Sequence, residues 1–283
     1  MVHLEDYGTY ETAWCPGCGN HSILKAVKQA LVATQIPPSQ ILFISGIGQA
    51  AKAPHYLKVN LFDGLHGRSL PTATGAKLAN PKMTVLVESG DGCHYGEGGN
   101  HFLAAIRRNI DLTCLVHNNQ VYGLTKGQAS PTSEPGFVTK AQPSGAASSS
   151  FNSVAVAVAM KAGFVARAFS GHMDHLAQLI QEAVAHRGFS LIDILQPCVT
   201  FNKVNTFTWY KTRCRELPPD YDPTDWKAAI QKAEEWGETI PLGILYRNSR
   251  PPFEEKIPAL QQGSLVGRDL NRKALGEILE KYL

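Results

Sequence analysis

Short apolar runs alternate with helically spaced patterns along most of the chain. Ile23, Leu24, Val27, Leu31 and Val32 recur at helical spacing in a helix that opens near Asn20. Ile41-Leu42-Phe43-Ile44 reads as a buried strand, and Ser69 to Leu78 as a small-residue helix suited to close packing on a sheet. Two further apolar runs, Met83–Val87 and Leu112–Val116, flank a helix from Asn100 to Arg108. Beyond them come a helix near Val154–Lys161, a strand Phe164–Phe169, a helix Met173–His186 and a strand Leu191–Leu195. Continuous apolar strands separated by helices predict an α/β fold: a doubly wound parallel sheet with helices on both faces. Ligands in such sheets bind beyond the carboxyl ends of the strands.

The remaining segments are less regular. Thr125 to Ser150 is rich in Gly, Pro, Ser, Thr and Ala and reads as a long loop crossing the ligand-binding edge. Asn205 to Pro223 reads as an extended arm, followed by a helix near Thr224–Trp236, a strand Leu242–Tyr246 and a final helix near Asn271–Tyr282. The expected organisation is an α/β domain over 1–200 and a C-terminal arm and extension over 201–283. That extension packs on the same domain or on a partner.

Composition narrows the function. Hydrophobic residues are 43% and charged residues 18% of 283 positions, which fits a globular core and leaves surface for partners to cover. A net charge of +3 without a basic run does not favour nucleic acid. No apolar run reaches the ~18 residues that span a bilayer, and Met1 to Tyr10 has no leader-like apolar stretch. A cytoplasmic protein with no membrane contact is the expectation, and its six cysteines then read as ligands or buried thiols.

The chemistry concentrates where two strands end. Gly90-Asp91-Gly92 follows one apolar run and Asn118-Asn119 follows another. Magnesium takes octahedral oxygen coordination from one or two carboxylates plus phosphates. Asp91 supplies a carboxylate, Asn119 an amide oxygen, and the extended segment after it a backbone carbonyl at Val121. Gly90 and Gly92 let the backbone approach a diphosphate, and Gly96, Gly98 and Gly99 precede a helix whose N-terminus favours anionic oxygens. A second motif, Trp14-Cys15-Pro16-Gly17-Cys18-Gly19, presents two thiolates to one metal centre. Zinc lacks a second paired motif here, and a redox pair belongs after a strand. An iron–sulfur cluster accepts remote ligands, for which Cys198 in Gln196-Pro197-Cys198 is the natural third.

These motifs, with Gly67-Arg68-Ser69-Leu70-Pro71, Gly98-Gly99-Asn100-His101 and Asn118-Asn119 running on to Tyr122-Gly123-Leu124-Thr125-Lys126-Gly127-Gln128, occur in order along nearly the whole chain. Together they resemble the β subunit of the 2-oxoacid:ferredoxin oxidoreductases, which include pyruvate and 2-oxoglutarate synthases. The resemblance implies a thiamine diphosphate-binding fold. It implies Mg²⁺ on Asp91, Asn119 and the Val121 carbonyl, and a [4Fe–4S] cluster on Cys15, Cys18 and Cys198. Gly90, Gly92, Cys93, Gly123, Leu124 and Thr125 then line the cofactor, and His66 belongs to its pocket. Lys52 lies near the substrate carboxylate, while Leu124 and Lys126 tune substrate choice, Lys126 towards a longer or dicarboxylic 2-oxoacid. The implied reaction is oxidative decarboxylation to acyl-coenzyme A and carbon dioxide, with electrons passing to ferredoxin, or its reverse.

The chain departs from that family at two places. Gln49 stands where a fourth cluster cysteine is usual, and Cys93 where many members have an acidic residue. The fourth ligand is therefore open between Gln49, solvent and, less naturally, Cys93. No glutamate can be assigned to the aminopyrimidine of thiamine, so an α (or fused γα) subunit is expected to complete the site, as a heterodimer or a dimer of heterodimers. Three rivals stand beside this reading. Gly46 to Ala51 with Asp63 downstream fits a loose dinucleotide fingerprint, but Pro54 cuts short the required helix. Non-oxidative thiamine catalysis and a zinc-stabilised, non-catalytic interaction protein are the others.

Overall fold

In the computed structural model, which describes residues 1–268 and 272–282, the apolar runs become strands of one sheet. The strands are β1 (Ile41–Ser45), β2 (Asn60–Asp63), β3 (Thr84–Gly90), β4 (Leu112–Asn118), the short β5 (Val121–Tyr122) and β6 (Gln128–Ala129), β7 (Phe164–Phe169), β8 (Phe189–Leu195), β9 (Cys214–Glu216) and β10 (Ile240–Arg247). Eight of them pair in the order β2-β1-β3-β4-β8-β7-β10-β9, while β5 and β6 form a separate hairpin. The sheet is parallel from β2 to β7, but β10 runs antiparallel to β7, so the expected all-parallel sheet is mixed at one edge. Both β9 and β10, from beyond residue 200, extend this same sheet.

Alternation along the strands sends side chains to two cores. Leu86 packs with Ile23, Val27 and Leu31 of α1 (Asn20–Thr34) on one face. Val85 and Val87 pack on the other with α2 (Ser69–Ala79), α3 (Gly99–Arg108) and α4 (Ser153–Ala159). The first face also receives Leu176, Leu179 and Ile180 of α5 (Met173–Ala185). β4 is buried along its whole length, as a strand covered on both faces must be.

The expected extended arm is instead broken by a helix, α6 (Phe207–Arg213), which leads into the short strand β9. Thr206 caps the helix, its hydroxyl accepting from the Trp209 N–H at 3.3 Å, and Tyr210 is driven into a small core with Phe169, Leu195 and Leu242. α7 (Trp226–Glu234) is capped by Asp225, and α8 (Arg272–Glu280) follows near the C-terminus. Asn271, where the last helix was expected to begin, lies outside the described residues.

Candidate cofactor site

The register of β3 and β4 builds the site. Gly90 lies opposite His117, so Asp91 and Asn119 leave the sheet side by side at its carboxyl edge. The loop after β1, at Ile47 to Ala50, and the segment around His66 close around them. One cavity of about 60 Å³ is lined by Gln49, His66, Gly90, Asp91, Gly92, Cys93, Asn119, Val121, Gly123, Leu124 and Thr125, among others. Lys52 and Lys126 are not among its walls. Lys52 is half-buried in the 3-10 turn Ala50–Tyr56, and Lys126 is exposed at the tip of the β5–β6 hairpin.

Backbone geometry at this edge is unusual in two places. After Asp91 the chain makes a π-helical turn, Gly92–Glu97, before α3 begins. A Cβ on Gly92 would lie 2.2 Å from the Tyr122 ring, so only glycine fits. Between Asn119 and Val121, Gln120 is held at φ 58, a left-handed conformation that a non-glycine residue adopts only where its surroundings enforce it. That bend is braced by the Asn119 amide oxygen, which accepts from the Val121 N–H at 3.0 Å and retains a second lone pair.

Asp91 is buried and braced by hydroxyls that the sequence did not single out. Its Oδ2 accepts from Ser130 at 2.5 Å and Thr132 at 2.6 Å, both on the long loop after β6. Thr132 also lies 2.9 Å from the Asn118 amide oxygen, so its single proton serves one acceptor at a time. Asn118 in turn donates to Asp193 at 3.0 Å, and Asp193 also accepts from Tyr95 and Ser153. Burial raises the Asp91 pKa to about 6, the two hydroxyls oppose that rise, and Asp193 adds to it. A carboxylate so placed gains from a cation. With an amide oxygen and backbone carbonyls beside it, the donor set is the oxygen-only kind that magnesium takes.

Cys93 has a structural part in these walls. Its sulfur accepts from the Gly67 N–H at 3.2 Å and the Ile47 N–H at 3.4 Å, tying the loop after β1 and the turn before α2 to the end of β3. It lines the Asp91 cavity and is absent from the walls of the one between the other cysteines. A ligand role for Cys93 beside Cys15 and Cys18 therefore finds no support.

That neighbouring cavity is lined by Cys15, Cys18 and Cys198 with Trp14, Gln49 and Gln196, among others. Each sulfur receives a donor: Gln196 on Cys18 at 3.3 Å, Thr200 on Cys15 at 3.3 Å and the Phe201 N–H on Cys198 at 3.5 Å. Burial pushes the Cys18 thiol up to about 11, the Asn20 N–H opposes this, and Cys198 and Cys15 add to it. All six cysteines are free. Among the described residues no three His, Cys, Asp or Glu side chains converge on one ion. Cys15, Cys18 and Cys198 nevertheless line one cavity, from segments more than 170 residues apart in sequence.

A buried contact ties β4 to the segment after the cysteine pair. His117 on β4 bonds Asn20, which follows the cysteine pair, at 2.7 Å, and its other ring nitrogen lies 2.8 Å from Glu88, off the line of a hydrogen bond. The dinucleotide alternative fails on geometry. Gly46 to Ala51 leads into a 3-10 turn containing Pro54, so no α-helix N-terminus faces a phosphate there. Among the described residues, no helix is long and apolar enough to cross a membrane.

Known proteins resemble this chain in sequence and fold. A family profile described as "Thiamine pyrophosphate enzyme, C-terminal TPP binding domain" matches residues 45–194. A second profile, for the C-terminal part of the pyruvate ferredoxin oxidoreductase beta chain, matches residues 198–262. The chain is 45% identical over 256 residues to the 2-oxoacid:ferredoxin oxidoreductase 1, subunit beta, of Aeropyrum pernix, covering 86% of this chain and 80% of that one. It is 45% identical over 192 residues to the 2-oxoglutarate oxidoreductase subunit KorB of Mycobacterium tuberculosis, covering 68% of this chain and 52% of that one. Among solved structures, the 2-oxoglutarate:ferredoxin oxidoreductase from Magnetococcus marinus, with 2-oxoglutarate, coenzyme A and succinyl-CoA bound, superposes with a TM-score of 0.90. The sequences there are 35% identical, over 97% of this chain and 95% of that one.

Proposed function

The chain belongs to the β-subunit family of the 2-oxoacid:ferredoxin oxidoreductases, and we propose that it binds thiamine diphosphate and magnesium for the oxidative decarboxylation of a 2-oxoacid to an acyl-coenzyme A. The observation that carries this reading is the single cavity in which Asp91, Asn119 and Val121 meet at the ends of two adjacent parallel strands. Asp91, the free lone pair of the Asn119 amide oxygen and the Val121 carbonyl would hold Mg²⁺. Gly90 and Gly92 would let the diphosphate approach the backbone. When bound, thiamine diphosphate supplies the carbon nucleophile and electron sink by which a 2-oxoacid loses carbon dioxide.

The chain's own residues position and insulate. Ser130 and Thr132 fix the Asp91 carboxylate, Cys93 holds the two flanking loops, and Tyr122 fills the space beside Gly92. His66 and Leu124 line the cavity, and Lys52 and Lys126 would be the cations for a substrate carboxylate. Cys15, Cys18 and Cys198 would hold an iron–sulfur cluster as electron acceptor, supported by the donors on each sulfur.

A cavity of about 60 Å³ is far below the ~300–1,000 Å³ of ordinary ligand pockets. It suits the diphosphate end alone. An α (or fused γα) subunit would enclose the rest of the cofactor in a heterodimer or a dimer of such pairs, with ferredoxin as the outside electron carrier and a cytoplasmic setting. The test is 2-oxoacid- and coenzyme A-dependent reduction of a one-electron dye by the anaerobically co-expressed complex. Activity in the complex and none in the isolated chain supports the reading. Decarboxylation without dye reduction would favour non-oxidative catalysis, and full turnover by the isolated chain would remove the partner.

A further inference from the structure

Among the residues that line the cavity between the three cysteines, one carries a buried side-chain oxygen with nothing to bond. Five polar side chains other than cysteine line it: Asn20, Gln49, Asn119, Gln196 and Thr200. The Asn20 amide oxygen is taken by His117 at 2.7 Å, and that of Asn119 by the Val121 N–H at 3.0 Å. Gln196 receives Asn119 at 3.4 Å, and Thr200 donates to Cys15. Gln49 differs: its Oε1 is buried with no hydrogen-bond partner. A buried amide oxygen without a partner is costly, and a bound ion or ligand can satisfy it.

The Gln49 backbone is fixed from the cysteine motif itself. The Trp14 indole N–H donates to the Gln49 carbonyl at 2.7 Å, and Trp14 directly precedes Cys15. The residue that opens the motif thus holds in register a residue that lines both this cavity and the neighbouring Asp91 cavity. Trp14 is in turn wedged edge-on against Tyr56 and His21.

We propose that Gln49 Oε1 is the fourth donor to the iron–sulfur group on Cys15, Cys18 and Cys198, giving a cluster with three thiolate-bound irons and one amide-bound iron. This rests on the cluster assignment made under the proposed function. Two consequences follow from the donor chemistry. A neutral oxygen in place of a thiolate removes one negative charge from the site and raises the cluster's reduction potential. The amide-bound iron is also the most weakly held, because iron of this kind prefers thiolate. On one-electron oxidation, [4Fe–4S]²⁺ therefore becomes [3Fe–4S]⁺, one Fe²⁺ leaves, and the electron goes to the oxidant.

The test uses the anaerobically co-expressed complex, titrated with ferricyanide as the oxidant and followed by EPR and by iron and sulfide quantification. The parent is expected to release ferrous ion and develop the 3Fe signal. Gln49→Cys is expected to suppress both and to lower the reduction potential. Gln49→Ala is expected to lose iron faster than the parent, with retention restored by added thiol. Gln49→Ala matching the parent in spectrum, potential and iron release overturns the assignment of Gln49 while the cluster stands. A parent whose cysteine-substituted variants show no loss of iron and sulfide overturns the cluster itself, and this proposal with it.

Discussion

Asp91 sits where a bare carboxylate is uncomfortable, and His94, three residues on, where an imidazolium is. Burial raises Asp91 from 3.8 to about 6. Without a cation the folded chain keeps a proton there that the unfolded chain has released, so stability falls as pH rises through that window. Burial lowers His94 from 6.5 to about 4, so the folded chain refuses a proton that the unfolded chain accepts, and stability falls as pH drops through its window. The two effects oppose each other over nearly the same range. Asp91→Asn removes only the first. The metal-free variant should be ~1–3 kcal/mol more stable than the parent at neutral pH in urea denaturation, and should lose stability on acidification where the parent changes little. Equal stability at neutral pH would contradict this. Gly92→Ala drives a Cβ into the Tyr122 ring; overpacking of ~1–3 kcal/mol should weaken thiamine diphosphate binding to the complex about tenfold or more by calorimetry. The sequence displayed Asp91 and Asn119 because their residue types stand out at strand ends. Ser130 and Thr132 were invisible, being hydroxyls in a Ser/Pro/Thr-rich loop that reach Asp91 across some forty residues of sequence.

The site's elements are held by a few cross-links, of which Cys93 is the most economical. Its sulfur accepts N–H groups from two loops, and Ser89 at the end of β3 reinforces one of them by accepting from the Gly46 N–H at 2.7 Å. Cys93→Ala should cost ~1–3 kcal/mol, since two amides lose their acceptor and a small void opens. Cys93→Ser should recover part of that in thermal unfolding, and equal loss in both variants would count against the hydrogen bonds. Elements were legible where a run was apolar and long: β1, β3, β4, β7, β8 and β10 all announce themselves. β2 did not, because Asn60 to Asp63 is an exposed edge strand without an apolar run. The direction of β10 was also hidden, since buried strands read alike either way. α6 was missed because its signal is a single cap, Thr206, ahead of aromatics that are common in strands.

At the scale of the molecule, the active edge is open on one side. Leu61, Phe62 and Leu65 are exposed beside His66, with Leu65 at 72%, and apolar surface of this kind next to a half-built cavity marks an interface. Leu65→Asp with Phe62→Asp should prevent co-purification with the α subunit while leaving the far-UV circular dichroism of the isolated chain unchanged. A complex that survives both charges would move the interface elsewhere. The central claim is that Asp91 and Asn119 hold the cation that tethers a diphosphate. Calorimetric titration of thiamine diphosphate into the cofactor-stripped complex, with and without Mg²⁺, tests it most directly. Binding that requires Mg²⁺ in the parent and disappears in Asp91→Asn is the predicted result. Binding of equal strength without Mg²⁺, or in the variant, would contradict it.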